Sequence, residues 1–244
     1  MASEDMRLDA SRIIETLARL GERITARFPD ASLGRLCVRL TGTARTTARN
    51  AAALARPMLW LRSLAALVAG LWAAATIWVV SQIDWPAVAA RADATSLAQG
   101  LDSAVNLLLL AGAAIWFVLT LEERIKRSRT LTALHELRSY AHVIDMHQLT
   151  KDPTMILSGA TVSAASPVRQ MSEFELARYL DFCAEMLALT AKLAALYAGA
   201  SADRAILQAA TEVEDLASDL GRKIWQKIMI LSQLDERRAA GRKG

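Results

Sequence analysis

The chain has 244 residues, 53% of them hydrophobic and 22% charged, with a mean hydropathy of +0.23 and a net charge of +4. These values lie between those of a soluble domain and those of a polytopic membrane protein. The positive charge is mild and clusters beside apolar blocks, which argues against nucleic acid as a partner. Glycine and proline are scarce, at 11 and 5 residues, so helix is expected nearly everywhere and the chain reads as an all-α membrane protein.

Four regions follow in order. Residues 1–57 form an amphipathic helix and a basic connector, and residues 58–121 a transmembrane hairpin. Residues 122–236 form a cytoplasmic helical bundle, and residues 237–244 a basic, disordered tail. In the first region Ile13, Leu17, Leu20, Ile24 and Phe28 fall on one arc, opposite Arg12, Arg19, Arg23 and Arg27. That helix can lie on anionic lipid or pack on the cytoplasmic domain. Residues 41–56 read as a polar basic connector or a helical extension into the first span.

Two uncharged blocks follow, Ser63–Ser81 and Ser103–Leu121, each 19 residues long. A hydrocarbon core of about 30 Å requires about 20 helical residues, so each block can span. Trp60 and Trp116 mark one interface, Trp78 and Trp85 the other. Six arginines between Arg35 and Arg62 lack any accompanying acid, and Arg124, Lys126, Arg127 and Arg129 follow the second block. The loop 82–102 carries Arg91 against Asp84, Asp93 and Asp102. The positive-inside rule then places both termini in the cytoplasm and the loop outside. Cys37 and Cys183 fall on the reducing side, which disfavours a disulfide. Ala66, Gly70 and Ala74 form a ridge of small residues on the first span, and Gly112 offers a close-approach point on the second. Asn106 is the one strongly polar side chain in either block. It can bond across helices or face a polar path.

Beyond the second span a helix continues from Glu122 to about Thr150, ahead of Pro153. An irregular, Ser- and Ala-rich loop carrying Gly159 and Pro167 comes next. Ser172 and Glu175 form a capping box. The helix they open is apolar on two faces, one through Leu176, Leu180, Cys183 and Leu187, the other through Phe182, Met186, Leu189, Leu193 and Leu196. It ends near Gly199. Ser201 is expected to cap a last helix with a seam of Ile206, Ala210, Val213, Ala217, Leu220, Ile224 and Leu231, spaced for coiled-coil-like packing. Trp225 is expected to anchor the core.

All three histidines of the chain lie between Leu134 and Gln148. Leu134, Leu137, Ala141, Ile144 and Gln148 form an apolar-edged seam, and His135, Arg138, His142 and Asp145 form a polar stripe beside it. The stripe is a candidate binding surface, and its main reading is structural, as ion pairs and hydrogen bonds that fix helix register. His142 and Asp145 can share one metal ion. His135, roughly 10 Å further along the axis, would need ligands from elsewhere to join them. Arg138 and the nearby basic run can also bind an anion or acidic lipid.

His135-Glu136-Leu137-Arg138-Ser139 resembles the phospho-acceptor box of sensor histidine kinases. That resemblance implies His135 as phospho-acceptor and Glu136 as its acidic neighbour, on a helix following a second span. Tyr140 stands where that family has proline, and no Asn-containing box or D-x-G-x-G pattern follows. The cytoplasmic helices also resemble those of bacterial two-span inner-membrane proteins, which implies location and no activity. The expected function is therefore a non-enzymatic assembly or scaffold protein without cofactor, homo-oligomeric, contacting the bilayer and another membrane or cytoplasmic protein. The alternatives are a small oligomeric channel with Asn106 on its axis, a phosphoacceptor at His135, and a His/Asp metal site.

Overall fold

The computed structural model describes residues 8–54, 56–84, 86, 94–149 and 171–241, with the side chains at 94, 96, 97, 119 and 234–241 outside the description. These residues form α1 (Ala10–Arg27), α2 (Ser32–Leu54), α3 (Leu59–Ser81), α4 (Ala94–Leu149), α5 (Glu173–Ala200) and α6 (Arg204–Gly241). Trp85, residues 87–93 of the expected outer loop and the expected irregular loop at 150–170 lie outside the described residues. The helices divide into two compact units, Met1–Ala55 with Arg129–Gly244, and Arg56–Ser128. α4 contributes to both.

The first unit is the helical bundle. α1 begins where Asp9 Oδ1 accepts the Ser11 amide at 2.8 Å, which satisfies one free N–H of the first turn. Its whole apolar arc, Ile13, Leu17, Leu20, Ile24 and Phe28, is buried. Phe28 meets the rings of Tyr179 and Phe182 edge-on, with centroids 5.6 and 6.3 Å away, and Arg23 pairs with Glu185. Of the two arrangements open to α1, it therefore adopts packing on the helical domain.

Residues 41–56 follow the helical reading rather than the connector one as far as Leu54. α2 covers most of them and buries Leu33, Leu36, Cys37, Leu40, Thr41, Ala44, Thr47 and Ala51 along one side. Small residues permit the close contact with α1. A β-carbon at Gly34 would lie 3.2 Å from Thr25 Oγ1, tighter than ordinary van der Waals contact. Cys37 and Cys183 are both free and buried, and burial pushes the Cys37 thiol up to about 11.

α5 starts with the expected capping box, in which Ser172 Oγ accepts the Glu175 amide at 3.2 Å and Glu175 Oε2 accepts the Ser172 amide at 2.9 Å. Both its apolar faces are buried, apart from a half-buried Leu196. α6 buries its full seam from Ile206 to Leu231. Its cap is Asp203, not Ser201: Asp203 Oδ1 accepts the amides of Ala205 and Ile206, while Ser201 Oγ accepts only the Asp203 amide. Two further expectations fail here. Trp225 is 57% exposed, one position off the seam residue Ile224. The tail is helical as far as Gly241.

In the second unit helix is already present at Ala94, nine residues before the uncharged block, so the expected loop is shorter than 82–102. Buried and half-buried residues follow one stripe on α3, Leu61, Ala65, Val68, Ala69 and Trp72, and on α4 they run through Ala111, Ile115, Val118 and Glu122, with Thr120 and Leu121 also half-buried near its base. Glu122 ties the base of the pair together. Its carboxylate accepts the Met58 amide at 2.9 Å and the Lys126 ammonium at 2.7 Å, with Arg62 at 3.5 Å. Lys126 also donates to the Arg56 carbonyl at 2.7 Å. These contacts supply a partner for the amide of Met58, the residue that caps α3.

Three segments of the chain contain a window long and apolar enough to cross a membrane, within Ser32–Ser81, Ala98–Leu149 and Glu173–Ala200. That marks a multi-pass membrane protein. The window is 6% buried in the first, 0% in the second and 50% in the third, which is α5.

Two outcomes follow. Leu180→Ala, at a fully buried position, should lower stability by about 2–5 kcal/mol, while Trp225→Ala should change it by no more than about 0.5 kcal/mol. Denaturant unfolding of the bundle followed by circular dichroism compares them directly. Hydrogen bonds from Lys126 and then from the Met58 amide hold the Glu122 carboxyl below its ordinary value of 4.5. A depressed folded value contributes stability above the unfolded value and loses it as pH falls through the folded one. Thermal melts should therefore show an acid-side loss below about pH 4.5 that Glu122→Gln diminishes.

Candidate functional site

The polar stripe lies on the part of α4 that belongs to the bundle. The seam beside it is buried throughout: Leu134, Leu137, Ala141, Ile144 and Gln148 are each at most 1% exposed. That burial fixes the rotation of α4 and so decides which stripe residues meet a neighbour.

The stripe residues do not converge. Arg138 reaches α6, where Nη1 lies 3.5 Å from Glu212 Oε2, with both side chains about half exposed. Asp145, half-buried, accepts a hydrogen bond from the Gln148 amide nitrogen. His135 and His142 are exposed. His147, on the opposite flank, places Nδ1 3.4 Å from Ser32 Oγ on α2. Among the described residues no group of three or more His, Cys, Asp or Glu side chains is placed to hold a metal ion.

The residue that does most of the bridging is Gln148, which sequence reasoning assigned to the apolar seam. Its Oε1 accepts from Lys227 Nζ at 2.9 Å, and its backbone carbonyl lies 3.5 Å from the same ammonium. A Lys227–Gln148–Asp145 chain thus links α6 to the end of α4. A buried amide with four hydrogen-bonding positions can serve a cation on one side and a carboxylate on the other. Glutamine at a seam position was the available signal, since a buried amide needs partners. On α4's other side Thr43 of α2 donates to Glu136 at 3.0 Å and lies 3.1 Å from the Tyr140 hydroxyl. Glu136 therefore supports the α2–α4 contact.

The span residues singled out from sequence lie on open surface. Ala66, Gly70, Ala74 and Gly112 are exposed, and a β-carbon at Gly70 or Gly112 would meet nothing within 4 Å. Asn106 is exposed and donates to Asp102 one turn earlier on α4, at 3.4 Å. One feature had no sequence signal as a unit. Phe174, Ala177, Arg178, Asp181, Trp225 and Ile228 line an open groove of about 300 Å³ between α5 and α6.

Comparison with protein-family models, with curated proteins and with solved structures gives no match.

The geometry separates the stripe's members by consequence. Gln148→Ala should cost about 1–3 kcal/mol, because it removes the acceptor of a half-buried ammonium and the donor to Asp145. His135→Gln should stay within about 0.5 kcal/mol, as expected of an exposed position. Thermal melting alongside metal analysis of the purified protein checks both. Stoichiometric metal lost on His135→Gln or His142→Gln would reverse the assignment.

Proposed function

We propose that the protein is a non-enzymatic assembly protein of the bacterial inner membrane, built as a two-span hairpin with both termini and the bundle in the cytoplasm. The observation that carries this reading is the uncovered apolar surface of α3 and of the apolar half of α4. Leu67, Leu71, Ile77, Trp78, Leu107, Leu109 and Trp116 are each more than half exposed. Apolar area of that extent, contiguous along two helices, needs lipid or other protein to cover it. α5 is left out of the span count because the bundle already buries half of its apolar window.

Self-association is part of the reading. Ala66, Gly70 and Ala74 point away from the buried stripe of α3, and the open space at Gly70 admits a second helix backbone. Of the stripe, Arg138 meets Glu212 of α6 and Asp145 is linked to Lys227 of α6 through Gln148, which supports a register-fixing role for these two residues.

Reporter fusions at Gly244 and within residues 86–100 should report opposite compartments, the first cytoplasmic. Identical compartments would sink the hairpin. Chemical crosslinking in native membranes should capture oligomers that Gly70→Leu diminishes. Catalytic turnover by the purified, partner-free protein would contradict the non-enzymatic assignment.

A further inference from the structure

α2 is amphipathic in an unusual sense. Its buried side faces α1 and α5, and its opposite side is arginine. At 100° per residue Arg35, Arg39, Arg45 and Arg49 fall within about 120° of arc, centred opposite the buried residues. All four are exposed, together with Val38 at 65% and Gly42, beside which a β-carbon would meet nothing within 4 Å. Among the described residues no carboxylate forms an ion pair with any of the four, and the one hydrogen bond from this set runs from Arg49 to Thr46 at 3.3 Å. At the edge of the face Thr43 donates to Glu136 at 3.0 Å.

The charge is also uncompensated locally. No Asp or Glu occurs between Asp30 and Asp84. Arg35 with Arg39, and Arg45 with Arg49, are like-charge pairs one turn apart, which oppose the helix they sit on. An external anionic surface relieves that repulsion. Residues 55–58 alone separate the end of α2 from the start of α3, so this face is carried close in sequence to an apolar helix.

We infer that the arginine face of α2 binds the anionic headgroups of phospholipids in the membrane that holds the spans. Guanidinium suits this occupant, because its planar fork matches phosphate oxygens and stays charged at every physiological pH. Val38 and the glycine between the arginines keep the face low, so that a headgroup plane can approach. Each arginine at an acidic membrane surface strengthens association about fivefold. The inference rests on the membrane reading above.

The test uses the full chain in nanodiscs of phosphatidylcholine alone or of phosphatidylcholine with phosphatidylglycerol. A nitroxide is attached at Val38→Cys, the native Cys37 and Cys183 being buried. Access of a water-soluble relaxation agent to the label should fall in the phosphatidylglycerol discs and recover in high salt, where screening shortens to about 3 Å. The protection should vanish when Arg35, Arg39, Arg45 and Arg49 are all changed to Gln, and survive when all four become Lys. Gln retains helix propensity at these exposed positions, and circular dichroism checks the fold. Equal access in both disc types would overturn the inference, as would protection that persists in the glutamine variant. Protection by added RNA or an acidic protein but not by phosphatidylglycerol would overturn it too, in favour of a different partner. Failure of the chain to enter discs at all would refute the membrane reading, whereas entry with a fully accessible label refutes this inference alone.

Discussion

α5 carries apolar side chains on two faces, and neither can be left to water. Tyr179, Phe182, Met186 and Leu193 on one side, and Leu180, Cys183 and Leu187 on the other, are all nearly or fully buried. One neighbour cannot cover both faces of a helix, so the chain must supply elements from two directions. α1 and α2 come from the N-terminal region and α6 from the C-terminal end. The N-terminal contacts are specific, with Phe28 set edge-on to Tyr179 and Phe182, and Arg23 both paired to Glu185 and placed over the Phe182 ring at 5.6 Å. This is why segments flanking the apolar hairpin in sequence belong to one compact unit.

The parts of that arrangement readable in the sequence are those in which large apolar residues keep a single period. The arc of α1, the two faces of α5 and the seam of α6 follow from spacing, and the burial agrees at every position but Leu196, which is half-buried. α2 was legible only as an open alternative over residues 41–56, because beyond Leu33, Leu36 and Leu40 its buried side is built from small or weakly polar residues, Thr41, Ala44, Thr47 and Ala51. Such residues pack well against a close neighbour yet give little periodic hydrophobic signal. Trp225 misled for the opposite reason. Its size suggested an anchor, while its position, adjacent to Ile224 and off the three-four spacing, directs it outward. Spacing outweighs side-chain size when a helix face is already defined. The choice between Ser201 and Asp203 as cap turned on two residues of loop conformation, which is below the resolution of any spacing argument.

For the polar stripe, the face was legible and its partners were not. Helical geometry places His135, Arg138, His142 and Asp145 beside the seam, but Glu212 and Lys227 lie far away in sequence, and only the packing of α4 on α6 brings them near. The energetic weight then shifts from the exposed members to Gln148. An exposed pair such as Arg138–Glu212 contributes about 0–1 kcal/mol. A buried amide that mediates between an ammonium and a carboxylate carries a desolvation cost whenever either contact is broken. Histidine drew attention to the region, and the glutamine holds it in register.

The same criterion of coverage separates two kinds of apolar helix in this chain. Length and composition alone pass α5 as a membrane span along with the other two apolar windows. What differs is where the complementary surface comes from. α5 has an aromatic, aliphatic and ionic partner for most of its circumference within its own unit, including the Arg23–Glu185 pair at its edge, which would be costly inside hydrocarbon. α3 offers no such arrangement: among the described residues its one charged contact, from Arg62 to Glu122, lies at the end nearest α2, and beyond it the surface is apolar and open as far as Val80. Charge confined to the helix ends and apolar surface between them is the distribution a bilayer imposes. The arginines of α2 place further positive charge just before α3 in sequence.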